Sequence, residues 1–391
     1  MARFCKVVFY IFAVVLILFC SPPCTRVIAQ LSTSDHLAEP GFWPTQNAVS
    51  RTDFVGAETC ASCHASIFAS QKTTPMGATA MHAENSDILH SHPKMNFNFG
   101  SYHYEVRTGG NRTAYSTADG KETETASLLW AFGTGRVGQS YLFKKQDEKF
   151  YEARVTFFSS LQNLHFTPGR AMTSAKNLED AMYREVSPGE VGRCFACHTT
   201  ASNIAGKFDE VNLIPGVSCE ACHGAGAEHV AAMKAAKLTG ETGGSTEIFN
   251  PRSLHPPDSV DFCGACHATT WDVKLSGNKG VSNTRSQPYR LEKSKCWGQG
   301  DPALTCIGCH DPHKQLQTEP ASYDGTCLSC HAPGAKTASG ANGNQIAVHA
   351  CPVATKNCVT CHMPKLEVPE MHHEFTDHKI RVVKPGEQYT D

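Results

Sequence analysis

Seven pentapeptides in this chain share the pattern C-x-x-C-H: CASCH (60–64), CFACH (194–198), CEACH (219–223), CGACH (263–267), CIGCH (306–310), CLSCH (327–331) and CVTCH (358–362). Their thiols are Cys60, Cys63, Cys194, Cys197, Cys219, Cys222, Cys263, Cys266, Cys306, Cys309, Cys327, Cys330, Cys358 and Cys361. Two thiols three positions apart can reach the two vinyl groups of one porphyrin and close thioether bonds. The next residue then lies under the iron, where its imidazole serves as proximal ligand. A zinc array would need further Cys or His pairs at matched spacing, and disulfides inside each motif would leave every trailing histidine idle. The pattern predicts seven covalently bound haem c groups, with iron held by His64, His198, His223, His267, His310, His331 and His362.

A second axial ligand must come from elsewhere. In CEACHGAGAEHV (219–230), His229 follows His223 by six residues, a reach of roughly 20 Å when fully extended. Circling a porphyrin edge to the same iron would consume nearly all of that. The stretch 228–238 is rich in helix formers and resists being pulled straight. His229 is therefore predicted to bind a neighbouring haem; the bland alternative is a solvated histidine near a helix start. His103 and His165 are candidate ligands from a strand-rich stretch. His372 and His373 are adjacent, so at most one binds, and His373 is kept as the candidate. His90, His92, His255 and His349 have no argument beyond their type. Cys296 and Cys351 lie outside the motifs and either pair as a disulfide or stay free.

The elements that position these groups are set by the intervals between motifs. One motif stands alone near the N-terminus, and six crowd between Cys194 and His362. The stretch 96–165 differs in kind: FNFGSYHYEVRTGGNRTAYST and the run after it alternate aromatic and polar residues between turn signals, as antiparallel strands do. The glycines of GTGRVG (133–138) match G-x-G-x-x-G, but QSYLFKK behind them reads as a strand rather than a helix, so a hairpin is expected and not a nucleotide loop. The expected fold is mainly α and irregular, with a cofactor-filled core and a small antiparallel β-rich insert. Expected divisions are a signal peptide (1–29), a linker (30–55), a first-haem segment (56–95), the β-rich insert (96–165) and a six-haem C-terminal domain (166–391).

Composition narrows the setting. The 391 residues hold 35 Lys+Arg against 37 Asp+Glu, with 19 Cys and 20 His. Arg3 and Lys6 precede an apolar run, Val7–Cys20, and Val27-Ile28-Ala29 offers small residues for a signal peptidase. The run is too short to span a bilayer comfortably, so export with cleavage after Ala29 and no retained membrane span is expected, placing the protein in the periplasm. Cleavage removes Arg3, Lys6 and Arg26, leaving a formal charge of −5. Such a chain has no electrostatic footprint for nucleic acid.

Several segments resemble exported bacterial multihaem cytochromes related to cytochrome c-554: FVGAETCASCH, GVSCEACHGAGAEHV, DFCGACHATTWDVKL, TCIGCHDPH, NCVTCHMPK and the FTDHKIRV tail. The resemblance spans most of residues 54–385 and implies a multihaem cytochrome c fold. It also implies distal ligation by His229, by His313 of C-H-x-P-H, and by His378 of FTDH. Many relatives have a histidine after the first haem where this chain has TTPMGATAM; either Met76 or His82 is the ligand there. The implied function is electron transfer between redox partners, such as a quinol-oxidising membrane complex and a terminal reductase. The alternative is a multihaem oxidoreductase with one open-coordination haem, acting on nitrogen or sulfur oxyanions or oxidising hydroxylamine. Against it stand the absence of a C-x-x-C-K motif and enough spare histidines to cap every iron.

Overall fold

A computed structural model describes residues 43, 50–170, 173, 175–204, 206–240, 248–298, 304–334, 337–339, 345–384, 386–387, 389 and 391. The expected signal peptide and its cleavage site lie outside the described residues.

A curled antiparallel sheet of ten strands dominates the first half. They are β1 (Ala80–His82), β2 (Lys94–Phe99), β3 (Tyr102–Gly109), β4 (Arg112–Ala118), β5 (Thr123–Phe132), β6 (Gly138–Lys144), β7 (Phe150–Ala153), β8 (Val155–Phe158), β9 (Asn163–Phe166) and β10 (Tyr183–Glu185). The path runs β10-β7-β6-β5-β4-β3-β2, with β1 on β5 and β8 joining β6 to β9. Asn96 N donates to Asn163 Oδ1 at 3.0 Å across β2 and β9, drawing the two ends of the curl together. Alternation dictates the packing: Tyr104 and Val106 on β3 and Tyr115 on β4 point inward and join Phe143, Phe157 and Phe166 in one apolar core.

The sheet is not the small insert expected. It reaches back to Ala80 and forward to Glu185, because β1 pairs with β5 and β10 pairs with β7. Strands of three residues such as AMH and YRE carry no readable alternation and are recruited only by their partners. GTGRVG is the connection between antiparallel β5 and β6, as expected. Gly133 takes φ 98° there, and a Cβ on it would meet Gly138 O at 2.5 Å.

A bulge in β5 between Leu128 and Trp130 gives the sheet its second role. One extra residue reverses which side chains face which side. Leu128 and Ala131 therefore enter the first core. Trp130 turns to the other face, into a second core with Leu142, Phe150, Val186, Val191 and Phe195.

The motifs sit on short helices: α1 (Ala57–Gln71), α2 (Pro188–His198), α3 (Cys219–His223), α5 (Pro256–His267), α7 (Asp324–His331) and α8 (Cys358–His362), with Cys306–Gly308 as a 3-10 turn. Between them, α4 (Ala227–Thr239) follows α3, and α6 (Gln287–Glu292) follows α5. A hairpin of β11 (Lys365–Val368) and β12 (His373–Thr376) leads to the C-terminal tail. Among the described residues, neither apolar core reaches past Leu213.

Candidate functional site

Each motif helix presents its two cysteines three positions apart, on one face, and then stops. Five motif histidines are the last residue of their helix. His64 is the exception in position only, since its φ −112°, ψ 42° kinks α1 at that point. Among the described residues no cysteine is paired in a disulfide, and Cys296 and Cys351 are both exposed.

The imidazoles are oriented through one nitrogen. Nδ1 lies 2.9 Å from Phe249 O in His223, 3.0 Å from His349 O in His331, and 2.8 Å from Arg381 O in His362. In His198 it lies 2.7 Å from Thr79 Oγ1 and 3.3 Å from Thr79 O. A carbonyl oxygen only accepts, so Nδ1 carries the proton and Nε2 keeps its lone pair. That is how proteins prepare a histidine to bind metal. Burial lowers the pKa of His198, His223, His267 and His310, favouring the neutral ligand form.

Two pairs of rings stand at a distinctive separation. His223 and His313 lie 6.1 Å apart, centre to centre, with planes 10° from parallel. His310 and His378 lie 6.2 Å apart at 46°. A metal–imidazole bond is about 2 Å, and the ring centre sits about 1 Å behind the bonding nitrogen. One iron between two in-line rings thus spaces their centres by about 6 Å. By contrast, His165 and His372 are in contact at 4.5 Å and leave no room between them. His378 Nδ1 is held 3.0 Å from Thr376 O. Burial, reinforced by His310, pushes its pKa down to about 4.

These residues fit a haem on a further ground. Residues 219–391 carry five of the motifs and no apolar core of their own among the described residues. His267, at the end of α5, is exposed to solvent even though the surrounding protein lowers its pKa. A large flat apolar group is what such an interior lacks.

The other candidate ligands are placed as follows. His229 lies in the first turn of α4, as its helix-forming neighbours predict, and its buried Nδ1 has no hydrogen-bond partner. Met76 O accepts from Val217 N at 3.0 Å, so its segment packs just ahead of the third motif. His82 is held on β1 with its ring 4.0 Å from Trp130. His103 is exposed and bonded to Asn98 Oδ1 at 2.6 Å. His165 sits on β9 between Phe97 and His372, and His373 is exposed, 5.0 Å from Phe375.

The attachment segments touch in an order that differs from the sequence. Thiols of different motifs are near neighbours, close enough to perturb one another's ionisation, in four cases: Cys60 with Cys219, Cys197 with Cys266, Cys263 with Cys306, and Cys327 with Cys358. Cys197 Sγ also reaches Ala265 O at 3.6 Å, and Thr326 Oγ1 donates to Gly308 O at 3.1 Å. Phe249, whose carbonyl orients His223, lies 5.9 Å from Phe262, the residue before Cys263. The series therefore runs first–third–fourth–fifth–sixth–seventh, with the second joining at the fourth.

Sequence reasoning missed the residues that hold these groups in place. Arg290 and Asp377 form a fully buried two-bond pair at 2.7 and 2.8 Å, and Arg381 adds a third bond to Asp377 at 2.8 Å. Ser294 Oγ accepts from Ile380 N at 2.8 Å, so the tail carrying His378 is fastened on both sides of that ring. Trp130 meets Phe195, a variable position of the second motif, edge-on at 5.0 Å. Only a basic residue in α6 and an acidic one beside His378 hinted at the ion pair, 87 positions apart.

The sequence profile of the family "Cytochrome c554 and c-prime" matches residues 151–224, which hold the last strands of the sheet and the second and third motifs. The multiheme cytochrome MtrA of Shewanella baltica (strain OS185) is 26% identical over 198 residues, covering 46% of this chain and 54% of that protein. The chain thus matches about half the length of that curated relative. The crystal structure of the outer cell wall cytochrome OcwA superposes with a TM-score of 0.47 at 13% identity, over 85% of this chain and 80% of that one. The partial profile match and the low-identity relative make this chain a distant relation of the multihaem c-type cytochromes.

Proposed function

We propose that the protein is an exported heptahaem c-type cytochrome that passes electrons between redox partners. Bound haem supplies a one-electron Fe(III)/Fe(II) couple whose potential depends on axial ligands, charge and burial. The motif cysteines would anchor the porphyrins, and the seven motif histidines would hold the irons. His313 would hold the same haem as His223, and His378 the same haem as His310. His229 is a further distal ligand, and Met76 or His82 serves the first haem; His103, His165 and His373 remain candidates elsewhere. Bound haems would give electrons a path that follows the motif segments, from the first through the third, fourth, fifth and sixth to the seventh, with the second as a side branch against the sheet. Among the described residues no helix is long and apolar enough to cross a membrane, and export rests on the N-terminal sequence. Partners are redox proteins, such as a quinol-oxidising complex and a terminal reductase.

The observation that carries this reading is the paired spacing of His223 with His313 and of His310 with His378. Intact mass of the exported protein is expected to exceed the bare chain by seven haems, with low-spin iron throughout by electron paramagnetic resonance. Clearly fewer than seven would overturn it. A stoichiometric high-spin iron that binds cyanide or hydroxylamine would instead favour the oxidoreductase.

A further inference from the structure

Two buried carboxylates link attachment segments that are distant in sequence. Glu220 is a variable residue of the third motif, between Cys219 and Ala221, and only 2% exposed. Its Oε1 accepts from Val55 N at 2.8 Å and Gly226 N at 2.9 Å, and its Oε2 from Gly56 N at 2.9 Å. Gly56 is the N-cap of α1, which carries the first motif, and α1 has no side-chain cap of its own. Asp324 opens α7, which carries the sixth motif, and is 8% exposed. Its oxygens accept from Asn357 N at 2.8 Å and Cys358 N at 2.9 Å, the start of α8 and the seventh motif. That helix also lacks a side-chain cap of its own. By contrast α2 caps itself through Ser187 and Glu190.

In both cases the unsatisfied N–H groups at one motif helix are completed by an acid belonging to another. We propose that Glu220 and Asp324 are positioning residues that lock the first and third, and the sixth and seventh, haem segments into two coupled pairs. Each places one negative charge beside both haems of its pair. The inference rests on the motifs being haem sites. Reduction adds one electron and removes one positive charge from an iron, so a shared anion disfavours it at both members of the pair.

The test uses the full haem-loaded protein with Glu220→Gln, Asp324→Asn and the double variant, followed by spectroelectrochemical titration. Two of the seven midpoint potentials are expected to rise in the first variant, a different two in the second, and all four in the double. Unmoved potentials in a variant with seven haems by mass would overturn the proposal, and so would a uniform shift of all seven. Amide hydrogen exchange of the unmodified protein gives an independent answer if a variant fails to assemble. Gly56 and Cys358 are expected to exchange slowly although they stand at helix starts; free exchange at both sinks the idea. A parent protein with fewer than seven haems would refute the haem reading itself, not the links made by Glu220 and Asp324.

Discussion

At the level of single residues, the chemistry depends on which histidine nitrogen is free. Nδ1 donation to a backbone carbonyl sets that for His223, His331, His362 and His378. The distal pairings make separable predictions. His313→Ala is expected to turn one iron of the seven high-spin, read by electron paramagnetic resonance and by a ligand-binding band in the visible spectrum. His378→Ala should do the same at a different iron, and the double variant should show two. If His313→Ala leaves the spectrum unchanged, His223 takes its partner from elsewhere. The motifs and their trailing histidines are legible in sequence because the proposed haem attachment would demand fixed local spacing. His313 and His378 are not legible that way, since a distal ligand must only be near in space.

At the level of elements, a few contacts decide where each motif rests. The bulge in β5 turns Trp130 outward against Phe195, joining the sheet to the second motif. Trp130→Ala empties that core and is expected to cost about 3–5 kcal/mol, measured by thermal unfolding of the haem-loaded protein. The buried Arg290–Asp377 pair fastens the tail. Arg290→Met removes two of the three guanidinium bonds to the buried Asp377 and leaves only that from Arg381, so it is expected to destabilise by somewhat less than the roughly 3–5 kcal/mol of a wholly unpaired buried charge. It should also loosen His378, giving a high-spin signal at one iron. Asp324 carries a pH dependence. The N–H groups of Cys358 and Asn357 hold its pKa below the ordinary carboxylate value. Its stabilising effect is therefore fully present above the unfolded value of about 4 and is lost as pH falls through the lowered folded value. Acid titration of the visible spectrum should show Asp324→Asn losing that part of the transition.

At the level of the whole molecule, two halves are held together by different means. The sheet buries its own aromatic side chains, with Tyr104, Tyr115, Tyr141, Phe143 and Phe157 nearly or fully buried. Residues 219–391 have no comparable core among the described residues, and under the proposed function haems would fill that interior. A chain produced without haem attachment is therefore expected to keep a protease-resistant fragment around the sheet and lose the C-terminal half. Limited proteolysis followed by mass spectrometry reads this directly. Equal resistance of both halves would mean that polypeptide alone fills the second.

The amino-acid sequence by itself determined the seven C-x-x-C-H motifs, the crowding of six of them into the C-terminal half, and the presence of strands between the first motif and the rest. These follow from local covalent spacing and two-residue alternation, which survive without knowledge of the fold. The size of the sheet, the outward turn of Trp130, the pairing of the first motif with the third, and the carboxylates that join them were decided only in three dimensions. Backbone N–H groups, ring separations and buried charges are satisfied by whichever partner the chain brings near, and sequence distance places no limit on that.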